Sequence, residues 1–461
     1  MRQLGLLAVA SLILACSGNS GGNDGGGGGT GGGAGGGGGT AQNQGISVLD
    51  PASTEKLPVA MAVGPNDRVG VAYFVKIGLS ATRSVPPNDA GFDPGGASDY
   101  EIRYVEWRGG TASAPQKIQT VQRPFGLTVA FQPNGEPAVA YLGGGDDQSI
   151  YWFQSDAAIS YRSNGTTWTE QIAVTHGDEA LCGNSTCAPI SDRGFLVGLN
   201  PALVIDGTSS YLFYRDGHDG QFPQQDWAGS DLELAQGGTA GGTWTHAVVA
   251  AGGAGGASTA KPGWGGHLEA ILASGKPVVI SDHVLGSADG VGHGVYLHSL
   301  SGTTWTTQEL VNEQTASNNQ TGPSLAWTQA SGYGVAWVNR NQDSLNYISS
   351  ANGTSWSVPD TAFQNGTGGW YPSLAFDPVT GQPTIAFYVC SIQSGKAEGN
   401  CPVDQDDLRV TTRGGDGTSW NETVIDTEGG YMPKLGFLST GKRVIAYRAI
   451  GTYQVKLYVE P

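Results

Sequence analysis

The sequence is poor in basic residues and in charge altogether. Lys and Arg number 23 against 40 Asp and Glu, for a formal net charge of −17, and charged residues make up only 14% of the chain. Binding to a nucleic-acid backbone requires clustered Lys and Arg, and no such cluster is present. The composition excludes a nucleic-acid partner, and the acidity is expected to favour solubility.

The common catalytic motifs and helical patterns are also absent. From residue 45 onwards there is no GxSxG nucleophile elbow, no HExxH and no Walker loop. No stretch keeps helical periodicity over three turns. The sequence therefore predicts an all-β protein without a cofactor. One alternative is calcium, which Asp404, Asp406 and Asp407 could hold through oxygen ligands although their spacing is not that of an EF-hand.

The N-terminus carries a short apolar run. Arg2 precedes the run from Leu4 to Leu14, which is too short to span a membrane and predicts an export signal over residues 1–15. The sequence ILAC ending at Cys16 resembles the bacterial lipoprotein box. That resemblance implies cleavage before Cys16, diacylation of its thiol and, because Ser17 follows, an outer-membrane location in the bacterial cell envelope. An ordinary secretory signal with a chance cysteine is the alternative.

A glycine tract follows the lipoprotein box. Up to Thr40 it holds no apolar side chain larger than alanine, so burial cannot offset the entropy cost of ordering it. Residues 16–44 are therefore predicted to be the lipidated cysteine and a disordered tether, with an r.m.s. reach of roughly 30 Å. The membrane is expected to be a partner through the lipid anchor only, and 45–461 is the predicted folded body.

The five cysteines agree with an exported protein. If Cys16 carries lipid, four remain, and four cysteines allow three pairings. Sequence proximity favours Cys182 with Cys187 and Cys390 with Cys401, in an oxidising compartment. Zinc is the alternative, but neither pair has CxxC spacing or a nearby histidine.

One sequence unit repeats seven times along the body. PSLAFDPVTGQPTIAFY from Pro372 and PSLAWTQASGYGVAWV from Pro323 both read as a strand, a turn and a second strand. Each complete unit has four β-like segments, at a spacing typical of repeat architectures. The equivalent small or apolar positions are Ala62, Ala130, Val204, Ala270, Ala326, Ala375 and Gly436. The prediction is a seven-bladed β-propeller of four-stranded antiparallel blades.

The ends of the body indicate how the ring closes. The seventh unit has three strands before the chain stops, and the segment 45–50 upstream of the first unit can supply the fourth. We expect 45–50 to pair antiparallel with 454–459, which leaves no free sheet edge there. A closed ring of this kind predicts a monomer.

A second recurring motif, G-x-[ST]-W, lies between the third and fourth segments. Its tryptophans are Trp168, Trp244, Trp305, Trp356 and Trp420. Each is expected to cover its turn as a structural residue. These turns resemble degenerate Asp-box repeats of sialidase-like propellers, and the whole span 45–461 resembles bacterial surface proteins built from LALDxxGxPxIAYY-type blades. The Asp-box aspartate is replaced by Ser163 and Gly415, and a FRIP-type motif is absent. The resemblance therefore implies the fold and not sialidase activity.

Candidate binding residues gather at one predicted face. The long insertions all fall between the second and third strands or between blades, and long loops carry function more often than short ones. The predicted ligand-binding residues are Arg215, Asp282, His283, Arg340, Trp370, Tyr371, Tyr388, Tyr431 and Arg448. Arginine binds carboxylates, phosphates and sulfates bidentately, so with the aromatic residues the set suits an anionic glycan. Alternatively, Arg215 and Asp282 pair with each other, and Trp370 and Tyr371 anchor loops.

Three functions follow from this pattern. The leading hypothesis is a surface-tethered or periplasmic module that binds a glycan or protein ligand. The second is an enzyme: a glycoside hydrolase using Asp282 and Asp216, or a lyase using Arg215, His283 and Tyr388. The third is a structural hub in envelope assembly.

Overall fold

The computed structural model describes eleven segments of the chain and consists almost entirely of β-strands. The described residues are 45–79, 98–121, 124–143, 155–175, 197–216, 231–251, 263–284, 293–313, 322–339, 342–391 and 406–461. The predicted signal peptide, Cys16, the glycine tether, Cys182, Cys187, Cys401 and Arg340 lie outside them. In this part of the chain no helix is long and apolar enough to cross a membrane.

The strands are short and follow one another with few other elements. In chain order they are β1 (Ile46–Asp50), β2 (Val59–Gly64), β3 (Arg68–Leu79), β4 (Ser98–Arg108), β5 (Thr111–Ala112), β6 (Gln116–Val121), β7 (Leu127–Phe131), β8 (Pro137–Gly143), β9 (Asp156–Ser163), β10 (Thr167–Val174), β11 (Val197–Asp206), β12 (Ser209–Asp216), β13 (Asp231–Gly238), β14 (Thr245–Ala250), β15 (Gly263–Ala273), β16 (Lys276–Val284), β17 (His293–Ser301), β18 (Thr304–Glu313), β19 (Ser324–Thr328), β20 (Gly332–Asn339), β21 (Ser344–Ser350), β22 (Asp360–Phe363), β23 (Thr367–Phe376), β24 (Pro383–Ser391), β25 (Asp407–Arg413), β26 (Trp420–Asp426), β27 (Tyr431–Phe437), β28 (Arg443–Arg448) and β29 (Val455–Val459).

These strands form seven antiparallel sheets arranged as the blades of a propeller. Six sheets have four strands, and the first blade has five because its outer position is shared by β5 and β6. The innermost strands β2, β7, β11, β15, β19, β23 and β27 each contact the next, and β27 contacts β2 again. The contacts therefore run in a closed ring, which confirms the predicted seven-bladed β-propeller.

The ring closes through the predicted pairing of the two ends of the body. Strand β1 lies antiparallel to β29, with Ile46 opposite Tyr458 and Ser47 opposite Leu457. Val459 also donates its backbone N–H to Gly45 O at 2.9 Å. The N-terminal strand thus completes blade seven, as its sequence predicts, and covers the edge of β29.

Three of the five tryptophans of the G-x-[ST]-W turns pack against the preceding blade. Trp168 packs edge-on against Tyr104 of the preceding blade, with ring centroids 5.3 Å apart. Trp305 and Trp420 make the same contact with aromatic residues of the blades before them, at 5.6 and 5.5 Å. Edge-to-face aromatic pairs at this distance favour association, so these residues join the outer parts of neighbouring blades.

The two faces of the ring differ in the length of their connections. Short hairpins such as 132–136 and 438–442 join the first and second strands on one face. The ten internal segments outside the description all connect strand ends on the opposite face, called here the long-loop face. The innermost strands begin at this face, so their first residues and the long connections together form the candidate region for a site.

Candidate functional site

A β-bulge interrupts the innermost strand of four blades close to the long-loop face. In blade three, Leu199 pairs with Arg215 and Ala202 pairs with Phe213, so the inner strand holds one extra residue. The same step occurs in blade four, where Gly266 pairs with Asp282. Blades six and seven repeat it after Trp370 and Tyr431. A bulge inserts a residue without a partner and redirects the side chains around it.

The residue inserted at each bulge has a left-handed backbone. Its φ is 49° at Asn200, 36° at His267, 54° at Tyr371 and 50° at Met432. Non-glycine residues in this region are uncommon, and for bulky side chains the conformation is strained. Blades two and five place Gly126 and Gly322 at the corresponding position, also with positive φ. Because such strain persists where the surroundings impose it, the four side chains mark a candidate functional position.

These residues open onto a cavity on the propeller axis. The cavity has a volume of about 320 Å³, and all seven blades contribute to its wall. Its polar, charged and large apolar lining residues include Lys56, Phe125, Asn200, His267, Glu269, Tyr371, Tyr431, Met432 and Lys434. The volume lies at the small end of the range for ligand sites. We refer to it as the axial cavity.

Prolines complete much of the wall of the axial cavity. Pro58 and Pro323 directly precede the innermost strands β2 and β19. Pro201, Pro372 and Pro433 lie within β11, β23 and β27, directly after the left-handed residue of the bulge. An innermost strand pairs on one side only, so its other edge faces the axis. Proline has no N–H to present and is tolerated at such an edge. The repeated proline therefore keeps the inner edges from pairing with other strands.

Two tyrosines and a lysine form one side of the axial cavity. The rings of Tyr371 and Tyr431 meet edge to face with centroids 4.7 Å apart. Tyr371 Oη donates to Tyr431 Oη at 3.3 Å. Lys56 Nζ lies 4.6 Å from the centroid of the Tyr431 ring, a distance suited to a cation–π contact. The structure thus brings two of the three predicted tyrosines to the cavity, although both are largely buried.

His267 forms another part of the wall and is paired with Asp282 behind it. His267 Nδ1 lies 2.9 Å from Asp282 Oδ2, and the side chain of His267 is 41% exposed while that of Asp282 is 3% exposed. Arg215 is buried behind them in blade three. Burial lowers the pKa of Arg215 to about 9, against the opposing effect of the Asp282 charge. Arg215 and Asp282 are therefore electrostatic neighbours, which agrees with the alternative that they pair with each other.

Among the described residues that line the axial cavity, Glu269 is the one that carries a carboxyl group. Its Oε2 accepts the backbone N–H of Leu325 in the next blade at 3.1 Å. Burial raises the pKa of Glu269, while the charge of Lys434 and the hydrogen bonds of Ser324 and Leu325 act in the opposite direction. The carboxyl group therefore links blades four and five, in addition to facing the cavity.

The remaining predicted site residues lie away from the axial cavity. Trp370 and Tyr388 are buried together between blades, with ring centroids 5.9 Å apart. Tyr388 Oη donates to Asp406, one of the acidic residues considered for calcium, and Asp407 pairs with Arg409. Asp404 lies outside the described residues, so calcium binding stays a prediction.

Arg448 is fully buried where the ring closes. Its guanidinium donates to Ser53 Oγ at 2.6 Å, to Tyr453 O at 2.9 Å and to Phe74 O at 3.2 Å, and it also bonds Leu57 O. These acceptors belong to blade one, blade seven and the segment between β1 and β2. Arg448 thus holds the closure together, and its predicted role in ligand binding is not supported by these contacts.

Four further predictions involve residues that the structure does not describe. The side chain of His283 and all of Arg340 lie outside the described residues. Cys390 is buried at the end of β24, and its predicted partner Cys401 is not described. Ligand binding by His283 and Arg340 and both disulfide pairings therefore stay predictions.

The sequence reasoning missed several cavity residues. Lys56, Asn200, Glu269, Met432 and Lys434 line the axial cavity but were not predicted as site residues. A usable signal was the recurring proline, since Asn200 and Met432 immediately precede Pro201 and Pro433. His267 was not predicted either, and its pairing with Asp282 depends on the bulge.

Comparisons with known proteins give similarity to solved structures only. No family model and no curated protein matches the chain. The chain is similar to the NanB sialidase of Streptococcus pneumoniae, with 10% identity, a TM-score of 0.46, and coverage of 90% of this chain and 71% of that one. An α-L-arabinanase of Penicillium chrysogenum complexed with arabinobiose gives 13% identity, a TM-score of 0.45 and coverage of 89% and 94%. An α-L-arabinofuranosidase of Fusarium graminearum gives 13% identity, a TM-score of 0.43, and coverage of 89% of this chain and 94% of that one. These similarities do not identify a family for this chain.

Proposed function

We propose that the protein is an envelope-tethered binding module whose axial cavity receives an anionic sugar unit of a glycan. The observation that carries this proposal is the combination of two lysines and an aromatic pair in one small axial cavity. Lys56, Lys434, Tyr371 and Tyr431 all line it. Ligand sites are typically concave and largely apolar, with a few polar groups that fix orientation.

The charge of the lining favours an anionic ligand. Lys56 and Lys434 face the cavity in a chain whose formal net charge is −17. The carboxyl group of Glu269 opposes them, but burial raises its pKa and it already accepts the Leu325 N–H. A carboxylate, sulfate or phosphate on the ligand would therefore meet a local excess of positive charge.

The aromatic residues and the size of the cavity favour a sugar. Phe125 adds a third ring to those of Tyr371 and Tyr431 in the cavity wall. Aromatic residues with a polar tip combine an apolar surface with hydrogen-bonding capacity, which suits a ligand with both C–H and O–H faces. A volume of about 320 Å³ suits one end of a longer chain rather than an extended polymer.

The N-terminal features complete the proposal. Lipid on Cys16 and the glycine tether over 16–44 would attach the propeller to a bacterial membrane, and we favour the outer membrane. Because β1 is the outer strand of blade seven, the tether would leave from the rim of the ring. The axial cavity would then stay accessible to a ligand.

The direct test is a glycan array probed with residues 45–461, which hold all seven blades. We expect binding to acidic glycans that weakens at least about tenfold in Lys434→Met, since the charged contact is lost. Lys442→Met is the matched control, because Lys442 is exposed in the hairpin between β27 and β28. Lack of binding to any acidic glycan, or equal binding by wild type and Lys434→Met, would contradict the proposal.

A further inference from the structure

We propose that His267 is a general base that cleaves a uronate-containing glycan by β-elimination, with Asp282 as its positioning residue. The inference rests on the proposed function, since it assumes that an acidic sugar occupies the axial cavity. It adds a reaction and a substrate class: polysaccharides in which a uronate is linked through its C4 oxygen.

The geometry of the His267–Asp282 pair carries the proposal. Asp282 lies 2.9 Å from Nδ1 and is almost completely buried, whereas the imidazole is 41% exposed and lines the cavity. A buried carboxylate at Nδ1 fixes the tautomer with the proton on that nitrogen. The lone pair is then on Nε2, which is the arrangement that a general base requires.

The backbone also indicates a function for His267. At the bulge His267 has a φ of 36°. This backbone region is strained for a residue that has a β-carbon. Gly322 of blade five leaves the space that His267 occupies, because a β-carbon at Gly322 would lie 2.4 Å from His267 Cβ. The neighbouring blade five thus leaves room for this side chain.

The reaction needs only groups of the axial cavity. His267 Nε2 takes the C5 proton of the uronate, and the electron pair of that C–H bond forms the C4=C5 double bond while the C4–O bond breaks. The leaving oxygen takes a proton from the hydroxyl of Tyr431. The oxygen of this hydroxyl accepts a hydrogen bond from the hydroxyl of Tyr371. The proton on His267 then returns to Tyr431 through water. Lys56 and Lys434 offset the charge that develops on the uronate carboxylate.

The cavity favours elimination over hydrolysis. Glycoside hydrolysis commonly uses a pair of carboxyl groups on either side of the scissile bond. Among the described residues of the wall, Glu269 alone supplies a carboxyl group, and it accepts the Leu325 N–H. Elimination needs one base and a positive charge that neutralises the carboxylate of the uronate. His267 offers the base, and Lys56 and Lys434 offer the charge.

The test uses residues 45–461 with polygalacturonate, alginate and chondroitin sulfate as probes, and follows the ultraviolet absorbance of the unsaturated uronate. The key variant is His267→Gly, because Gly126 and Gly322 occupy the corresponding left-handed position in two other blades. The fold should therefore tolerate it. We expect the rate to fall about 100-fold or more and to recover in part on addition of imidazole, which can enter the vacated space.

A histidine outside the axial cavity provides the matched control. His246 lies on β14, with Nε2 3.0 Å from Ala173 O, and His246→Gln should leave the rate unchanged. Asp282→Asn should lower kcat with little change in KM, as expected for a residue that orients the base. A purely structural role would instead leave kcat unchanged in the folded fraction.

The outcomes separate this inference from the proposed function. Binding to acidic glycans without unsaturated product from any of the three probes would overturn the elimination and leave the binding proposal standing. Undiminished cleavage by His267→Gly, or a loss that imidazole does not restore, would overturn the role of His267. Absence of both binding and cleavage would overturn the two proposals together.

Discussion

Arg448 Nη1 donates to Ser53 Oγ at 2.6 Å, although the two residues are 395 positions apart in the chain. Ser53 Oγ in turn donates to Phe74 O at 2.9 Å in blade one. One buried guanidinium thus connects β28 to the segment that follows β1. The closure of the ring therefore depends on side-chain hydrogen bonds as well as on the pairing of β1 with β29.

Removal of the Arg448 side chain should destabilise the ring. Arg448→Met leaves several buried acceptors without a donor, and each such group costs about 1–3 kcal/mol. We expect a loss of about 3 kcal/mol or more in the free energy of unfolding, measured by urea denaturation. Arg108→Met, at an exposed residue of β4, should change it by less than about 0.5 kcal/mol. Equal effects of the two substitutions would contradict this role of Arg448.

Deletion of β1 should be more harmful than shortening the glycine tract. Without residues 45–50 the outer edge of β29 is exposed, and an exposed edge favours aggregation. We expect a lower melting temperature and visible aggregation for that deletion. Removal of residues 17–40 should leave the melting temperature unchanged. If the two truncated proteins melt alike, strand β1 does not contribute to closure.

Hydroxyl groups on the innermost strands join neighbouring blades. Leu374 donates its backbone N–H to Ser324 Oγ, and Leu435 donates to Ser373 Oγ, both at 2.9 Å. Replacement of either serine by alanine leaves a buried N–H without its acceptor, so Ser324→Ala and Ser373→Ala should each cost about 1–2 kcal/mol. Ser299→Ala, at a half-buried position whose hydroxyl contacts Thr306 at the surface, should cost less than about 0.5 kcal/mol in the same denaturation experiment.

Substitutions at two left-handed positions, Gly322 and Met432, should change the stability of the protein in opposite directions. Gly322→Ala places a β-carbon 2.4 Å from His267 Cβ at a φ of 67°, and we expect it to destabilise the protein by about 1–3 kcal/mol. Met432→Asn replaces a residue that is strained at a φ of 50° by one that tolerates this region. It should leave stability unchanged or raise it by up to about 1 kcal/mol. A stabilising Gly322→Ala would be incompatible with the packing described.

Buried His298 should make stability depend on pH. Its Nε2 lies 2.8 Å from Ser281 Oγ and its Nδ1 lies 2.9 Å from Thr307 Oγ1. Burial lowers the pKa of His298 to about 3, below the value of about 6.5 in an unfolded chain. The unfolded state therefore binds the proton first on acidification, so this contribution is complete above about pH 6.5 and is lost as the pH falls towards 3.

The measurement for His298 compares two pH values. Between about pH 7 and pH 5 the wild type should lose on the order of 2 kcal/mol through this residue. His298→Gln, which cannot titrate, should show a correspondingly smaller loss over the same range. An unchanged pH dependence in that variant would show that other groups are responsible.

The number of blades and the closing pair were predictable from the sequence because they depend on spacing and on strand alternation. The repeated unit was recognisable wherever a proline stands at the start of the recurring sequence, as at Pro323, Pro372 and Pro433. In blade four Leu268 stands at that position. Counted from the left-handed residue His267, the residue equivalent to Ala326 is Ile271, one position after the predicted Ala270.

The site was less predictable because a bulge changes which side chains face the axis. Side chains alternate between faces along a strand, and one inserted residue reverses the order. Trp370, before the bulge, is fully buried between blades, whereas Tyr371 lines the axial cavity. The sequence suggested both aromatic residues equally. Four of the predicted ligand-binding residues do share one structural position: Arg215, Asp282, Tyr388 and Arg448 each pair with the residue just before the bulge in their blade.

The pairing of β1 with β29 also means that the order of the blades along the chain can be changed without changing the ring. Gly45 and Val459 are hydrogen-bonded neighbours, so a short linker could join Pro461 to Gly45. New ends could then be opened at 364–366, between blades five and six. Such a circular permutant would keep every sheet of the propeller while moving the point of attachment to another part of its rim. The orientation of the axial cavity relative to an attached surface is therefore a property of where the chain is cut, and it can be varied independently of the fold.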